Sequence, residues 1–559
     1  MAKRLLTFIK NSSSVEKILY SAILFFLFIA LLLGVERISS QFSTVVPTQG
    51  GTFTEGIVGF PESISPIYAE SNAEHDLTAL IYSGLMRVDG DGDIVTDLAE
   101  SYEISEDGNS YTFTIRDDAV FHDGTPITAS DVVFTIEEIK NPASESPLRS
   151  TFLDVEVSAL DASTVEFSLE EPYAGFLEQT TVGIVPRHIW ENVTQDSLEF
   201  IEHSSSPIGS GPFKIKNVER STDVGVPTNY TLTAFDDYTQ GRPYLNNIEI
   251  RFFSNEAELL EALDKGRIDS AALVSPRSLE NQNLARKRIL TAPMLRSFGL
   301  FFNQAESEIL SEDAVRKAID MTINRENLAE SIFSGYALPI ETPLPFGTDV
   351  AVSQSDEVNS DPNALLEEEG WIKNPLTGIR EKDEEELSFS IATADSDMFG
   401  EVANFIKHSL EQVGFSVTIE TFDIAVLNQD VIRPREYEAL LFGEAYDRVI
   451  DMYPFWHSSE RDDPGLNVAR YTSSDVDERL EDLRSERDER ERRELLNAIV
   501  KELREDVPAV FLYSPEFIYI QDKRIKNISI PPIVRSANRF ANVHEWFVYT
   551  DTVWNAFLD

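Results

Sequence analysis

The spacing of apolar and polar positions changes several times along the chain, and each change marks a part. GTFTEGIVG, from residue 51, alternates as a strand does, and PESISPIYAES, with two prolines, reads as the loop after it. Residues 74–83 switch to helical spacing, with Leu77, Leu80 and Ile81 on one face. Residues 86–200 form a strand-rich block. In SYTFTIRDDAVF the side chains Tyr111, Phe113 and Ile115 share one side, and STVEFSLEEP and DVEVSAL read alike. Residues 207–274 mix strands (NYTLTAF, NIEIRFF) with a helix at 256–265 stopped by Gly266. From residue 293 strands and helices alternate: RSFGLFFN, DAVRKAIDMTINRENLAESIFSG, DPNALLEEEGW, SFSIATA and EVANFIKHSLEQVGFSVTIETF. That alternation predicts α/β layers. Residues 473–507 predict a long helical region with Val476, Leu480, Leu483, Leu496, Ile499, Val500 and Leu503 on the buried stripe. The mixed charges at 486–494 suit a solvated face with internal ion pairs. FLYSPEFIYIQ returns to strand.

One run lies outside this scheme. Residues 18–35 (ILYSAILFFLFIALLLGV) are uncharged, and Lys3, Arg4, Lys10 and Lys17 precede them. At about 1.5 Å per residue such a helix roughly crosses a hydrocarbon core. The basic flank predicts residues 1–17 inside, an anchor at 18–35, a linker at 36–51 and a large extracytoplasmic body. A cleaved signal peptide is the competing reading, but its apolar region is usually shorter and no Ala-x-Ala type site follows.

Length and charge narrow the rest. A chain of 559 residues exceeds one core, so two or three domains are expected. Its 97 acids against 47 Lys and Arg give a net charge of -50, which makes nucleic acid a poor partner. The acidity favours solubility and, at a site, cationic ligands. There is no cysteine, hence no disulfide, thiolate metal site or Cys nucleophile.

Several stretches look like chemistry at first sight. His122-Asp123 in AVFHDGTPITASDVVFTI suggests a dyad, yet no nucleophile stands near. Thr128 and Asp131 instead fit an N-cap with its N3 carboxylate, the helix ending at Asn141-Pro142. Asp89, Asp91, Asp93, Asp97 and Glu100 match calcium-loop spacing, but Ile94 stands where a glycine is needed and strands flank the loop. A hairpin turn fits better. Gly209-Ser210-Gly211-Pro212 lacks the ending of a phosphate loop and reads as a turn. The seven histidines are scattered, so no zinc site is expected, and no cofactor is implied.

Taken in order, DLAESYEISEDGNSYTFTIRDDAVFHDGTPITASDVVFTIEEI, LIYSGLMRVDGDG, PIGSGPFKI, GRPYLNNIEIRFF, EALDKGRIDSAAL, LFFN, AVRKAIDMTINRENLAESIFSGYALP and DVPAVFLYSPEFIYIQD resemble the family 5 extracellular solute-binding proteins of ABC importers. The resemblance spans roughly residues 50–525. It implies an α/β fold: a type II, two-lobed periplasmic-binding-protein-like clamp with an extra strand-rich subdomain. Lobe I would be 52–85, 205–292 and 508–559, the subdomain 86–204, and the contiguous lobe 293–507. It also implies a monomeric binding protein, not an enzyme, that takes a peptide between its lobes and passes it to a permease and ATPase. Nickel chelates, oligosaccharides or a surface-sensor role are alternatives. An acid after an aromatic-rich strand would hold the ligand's α-amine. In EALLFGEAYDRVIDMYPFWHSS that acid is Asp447, with Glu444 and Asp451 as alternatives. Tyr446 and Phe442 beside it, Asn303 in LFFN and Ser65 in the proline loop complete the candidates.

Overall fold

The structure, a computed structural model, describes residues 43–193, 198–221, 225–282, 284–345 and 361–554, with a few positions between 13 and 29. The expected membrane anchor at 18–35 lies for the most part outside them. Among the described residues no helix is long and apolar enough to cross a membrane. Two compact units are present: the ends of the chain, up to Gly51 and from Phe547, and the body, Thr52–Trp546. In the first, Ser43–Thr48 pairs antiparallel with Tyr549–Trp554. Part of the expected linker is therefore a strand. Its Val and Thr residues suit an extended chain, and its partner lies some 500 residues on, beyond the reach of local pattern.

Within the body, one twelve-stranded sheet runs through both halves. Its central member is the long strand Ala509–Asp522. The first half of that strand pairs with Arg296–Phe302 and Ala337–Pro339, the second half with Lys287–Pro293 and Ser270–Ala272. Beyond Arg296–Phe302 lie Ala439–Ala445, Ser388–Ala394 and Ser416–Phe422; beyond Ser270–Ala272 lie Thr52–Val58, Asn247–Phe253, Pro227–Ala234 and Phe213–Arg220. The chain thus crosses between halves at two adjacent places, residues 293–296 and 514–516. The Met294 N–H donates to the Pro515 carbonyl at 3.0 Å, and the Ser514 hydroxyl donates to the Met294 carbonyl at 3.1 Å. A separate antiparallel sheet (Ala99–Ile104, Ser110–Ile115, Thr164–Leu169, Val155–Ala159) carries the strand-rich block.

Local sequence sets the element ends. Helix Asn72–Ile81 starts at a Ser71/Glu74 capping box, two residues before its apolar stripe would place it. At Thr128 the box is altered: the hydroxyl donates to Asp131 Oδ2 at 2.7 Å, and the Thr128 N–H donates to the same oxygen at 2.9 Å. The helical region 473–507 is two helices, Ser474–Ser485 and Glu489–Asp506, because Asp488 caps the second by accepting from two backbone N–H groups.

The His122-Asp123 corner is structural. His122 contacts the Gly211 carbonyl through Nε2 at 3.0 Å and accepts from the Gly209 N–H at Nδ1, 3.3 Å. Asp123 turns away to His188, 2.9 Å. The glycines of the 209–211 turn are required by closeness: a Cβ on Gly209 would stand 2.1 Å from the Ile81 carbonyl oxygen. The acidic loop is a hairpin turn in which Asp89 Oδ1 accepts from the N–H groups of Asp91, Gly92 and Asp93. That carboxylate oxygen is spent on the backbone. Among the described residues no group of three metal-ligating side chains comes together.

Arg539 is fully enclosed, as is its partner Glu55. It donates to Glu55 Oε1 at 2.9 Å and to Asp76 at 2.7 Å, while Tyr519 donates to Glu55 at 2.8 Å. Arg539→Met should strand Glu55 and Asp76, and we expect a loss of about 3–5 kcal/mol in urea unfolding. A loss under about 1 kcal/mol would contradict the burial argument. The corner histidine gives a pH signature. Burial pushes the His122 imidazole down to about 4, against an ordinary value near 6.5. Between those values the unfolded chain binds a proton that the folded one does not, so stability falls as pH drops through that window. His122→Gln should remove about 3 kcal/mol of the stability change between those two pH values, read from denaturation series at successive pH values.

Candidate functional site

The site is built where strand Ala439–Ala445 runs out. Its last residues pair with residues 296 and 297, and the Tyr446 N–H donates to the Leu295 carbonyl at 2.9 Å. The loop 446–451 therefore leaves the sheet beside one of the two crossings. Across from it stands the short helix Phe176–Gln179 of the strand-rich block. Glu178 Oε2 accepts from the backbone N–H groups of Arg448, 2.8 Å, and Val449, 3.3 Å, and Gln179 donates to Asp447 Oδ2 at 3.4 Å. The Ala174 N–H donates to the Arg484 carbonyl at 3.1 Å. The two halves are shut on one another.

Between them a cavity of about 220 Å³ remains. Its walls come from helix Asn72–Ile81 (His75, Thr78), the extended segment 181–183, the C-terminal stretch with Arg535 and Asn538, and Asp447. Burial and then the nearby Arg535 push His75 down to about 4, so it is neutral near pH 7.

The seven sequence candidates separate clearly. Asp447 is exposed and, of the seven, alone lines this cavity. Glu444 is buried, accepts the Tyr446 hydroxyl at 2.5 Å, and is pushed up to about 8 by burial. Burial thus favours its uncharged form. Asp451 is held by Arg484, 2.9 and 3.0 Å, and caps the Tyr453 N–H. Tyr446 is buried and Phe442 half-buried, both against the core of the contiguous half that also holds Trp456. Asn303 is fully buried and bonds backbone, donating to the Arg435 carbonyl at 2.9 Å. Ser65 is fully buried and accepts from the Ile67 N–H. Sequence reading missed His75, Gln179, Arg535 and Asn538. They come from three distant parts of the chain, and nothing in the local pattern marks these side chains as facing one cavity.

Two halves joined through a shared strand, with a cavity walled from both, define a solute-binding clamp. The family described as bacterial extracellular solute-binding proteins, family 5, middle region, matches residues 93–465, and the chain belongs to that family. Among its relatives is the oligopeptide-binding protein AppA of Bacillus subtilis, 25% identical over 521 residues, covering 91% of this chain and 94% of that one. Another is the probable D,D-dipeptide-binding periplasmic protein DdpA of Escherichia coli, 24% identical over 488 residues, covering 85% and 90%. The solved structure of B. subtilis AppA with a nonapeptide superposes with a TM-score of 0.66 at 25% identity, covering 90% of this chain and all of that one.

The latch across the cleft can be tested directly. Glu178→Ala leaves two loop N–H groups without their acceptor and should shift the unliganded protein toward an open form. We expect a larger radius of gyration in solution scattering, restored by Glu178→Gln, whose side-chain oxygen still accepts. Identical profiles for wild type and Glu178→Ala would remove Glu178 from closure.

Proposed function

We propose that this protein captures peptides between its two halves and delivers them to the membrane permease of an ABC importer. Residues 18–35 would tether it as a monomer to the outer face of the membrane. The observation that carries the reading is Asp447. It is an exposed carboxylate on the contiguous half, facing a cavity whose other walls belong to the opposite half and the strand-rich block. Its two neighbouring acids are excluded as counter-ions, Glu444 by burial against the Tyr446 hydroxyl and Asp451 by its arginine. A peptide α-amine seated at Asp447 would gain a charge-assisted hydrogen bond and bridge the halves, so that binding favours closure. The names of the relatives support the substrate class.

The test is calorimetric titration of the purified chain with short peptides of free and acetylated N-terminus. Free peptides should bind more tightly. Asp447→Asn should weaken them by roughly tenfold and leave acetylated peptides unchanged, a charge-assisted bond discounted for solvent exposure. Equal affinity for both peptide forms, in wild type and variant alike, would overturn the amine assignment. Failure of every peptide, with another solute found by mass spectrometry of the purified protein, would overturn the substrate class.

A further inference from the structure

On the edge of the other half, away from Asp447, lies a concentration of positive charge. Three basic runs meet there: residues 265–267, at the end of helix Glu256–Asp264; residues 286–288, entering strand Lys287–Pro293; and residues 523–526, leaving strand Ala509–Asp522. The pairing brings them together, because Lys287 stands opposite Asp522 and Arg288 opposite Gln521. They surround a groove of about 980 Å³. The three runs hold eight Lys and Arg, and four acids accompany them: Glu261, Asp264, Asp269 and Asp522. In a chain with twice as many acids as bases, that ratio is inverted here.

Three of the acids are occupied: Glu261 pairs with Lys265 and, at 3.6 Å, with Arg267, and the other two are held by backbone and by Arg524. Asp269 accepts the Thr54 N–H at 3.0 Å and an Arg524 nitrogen at 2.6 Å; Asp522 accepts the Arg524 N–H at 2.9 Å and sits 3.8 Å from Lys287. Facing outward and exposed are Lys265, Arg267, Arg286, Lys523, Arg524 and Lys526. Among the described residues neither Arg286 nor Lys526 forms an ion pair.

We propose that this basic edge docks the body on an anionic lipid surface. The chemistry favours a bilayer over an acidic protein. Protein interfaces are anchored by buried aromatic and aliphatic side chains, and here the apolar lining is confined to Leu263, Ile268 and Ala285. Arg286, Lys523 and Lys526, long exposed side chains outside these ion pairs, suit phosphate headgroups that rearrange around them. The net charge of -50 does not forbid the contact. At physiological salt, screening limits electrostatics to about 8 Å, so the bilayer meets the charge of the touching patch alone. The predicted span at 18–35 would bring that surface within reach.

The chain has no cysteine, so Ala285→Cys gives one labelling site in the groove. The full-length protein, dye-labelled there, is mixed with nanodiscs bearing a headgroup quencher. Phosphatidylglycerol discs should quench the dye, neutral phosphatidylcholine discs should not, and about 0.5 M salt should abolish the effect. The combined Arg286→Glu, Lys523→Glu and Lys526→Glu variant should lose at least tenfold in apparent affinity for the anionic discs while keeping its solute binding and unfolding midpoint. Lys526→Arg alone should behave as wild type. Equal quenching by both lipids, or none by either, overturns the proposal. So does quenching that appears on adding a membrane protein to the disc, which would reassign the edge to an acidic protein partner.

Discussion

Everything in the body depends on one strand belonging to two halves. Ala509–Asp522 is buried along nearly its whole length, and it trades partners midway, at Pro515. Its proline lacks a backbone N–H, so the ladder breaks there without stranding a donor. The neighbouring crossing at 293–296 is bonded to it through Met294. Two short crossings side by side resist twisting but allow a small change in the angle between the halves. Rigidity inside each half follows from its own core, while freedom between them is confined to a few backbone torsions. That combination lets a solute contact become a change of shape.

The wall opposite Asp447 has a different origin of stiffness. Residues 533–540 hold only a short 3-10 helix, Ser536–Phe540, and present Arg535 at its N-cap and Asn538 within it to the cavity. They are fixed from behind by Arg539, which bridges Glu55 on a central strand and Asp76 on helix Asn72–Ile81. Enclosing three charges costs more desolvation than an apolar cluster of equal size would. What the ion cluster supplies is direction, since a guanidinium with two carboxylates accepts one geometry. Greasy packing would hold the segment in place but leave its register loose.

Much of this was legible in the sequence. Alternation at 110–115 and at 388–394, the glycine stops and the cap before residue 129 are local effects of side-chain period and backbone hydrogen bonding, which short windows contain. Long-range pairings were not. Nothing near residue 43 announces a partner at residue 554, and nothing around residue 535 announces a cavity. The acids after strand Ala439–Ala445 show the limit most clearly. Glu444, Asp447 and Asp451 look equivalent as letters, and their roles separate only through burial, exposure and a neighbouring arginine. Asn303 and Ser65 fall on the same side of that limit, because a polar letter cannot tell whether its side chain bonds a ligand or the chain itself.

The contacts that shut the cleft are few. One carboxylate accepts two backbone N–H groups, the Ala174 N–H donates to the Arg484 carbonyl, Arg448 donates to the Pro532 carbonyl at 2.9 Å, one amide reaches Asp447 at 3.4 Å, and Arg487 touches the Ser105 carbonyl from an exposed position. Each such bond contributes about 0.5–1.5 kcal/mol net, the exposed ones least. Their gross sum is on the order of several kcal/mol, set against the ordering of the loop and side chains that make them. Open and closed forms are then close in free energy without ligand. An occupant that adds one charge-assisted bond on each side can decide the balance, and its departure can reverse it. A tighter latch would hold the clamp shut when empty, and a looser one would spend much of the binding energy on closure.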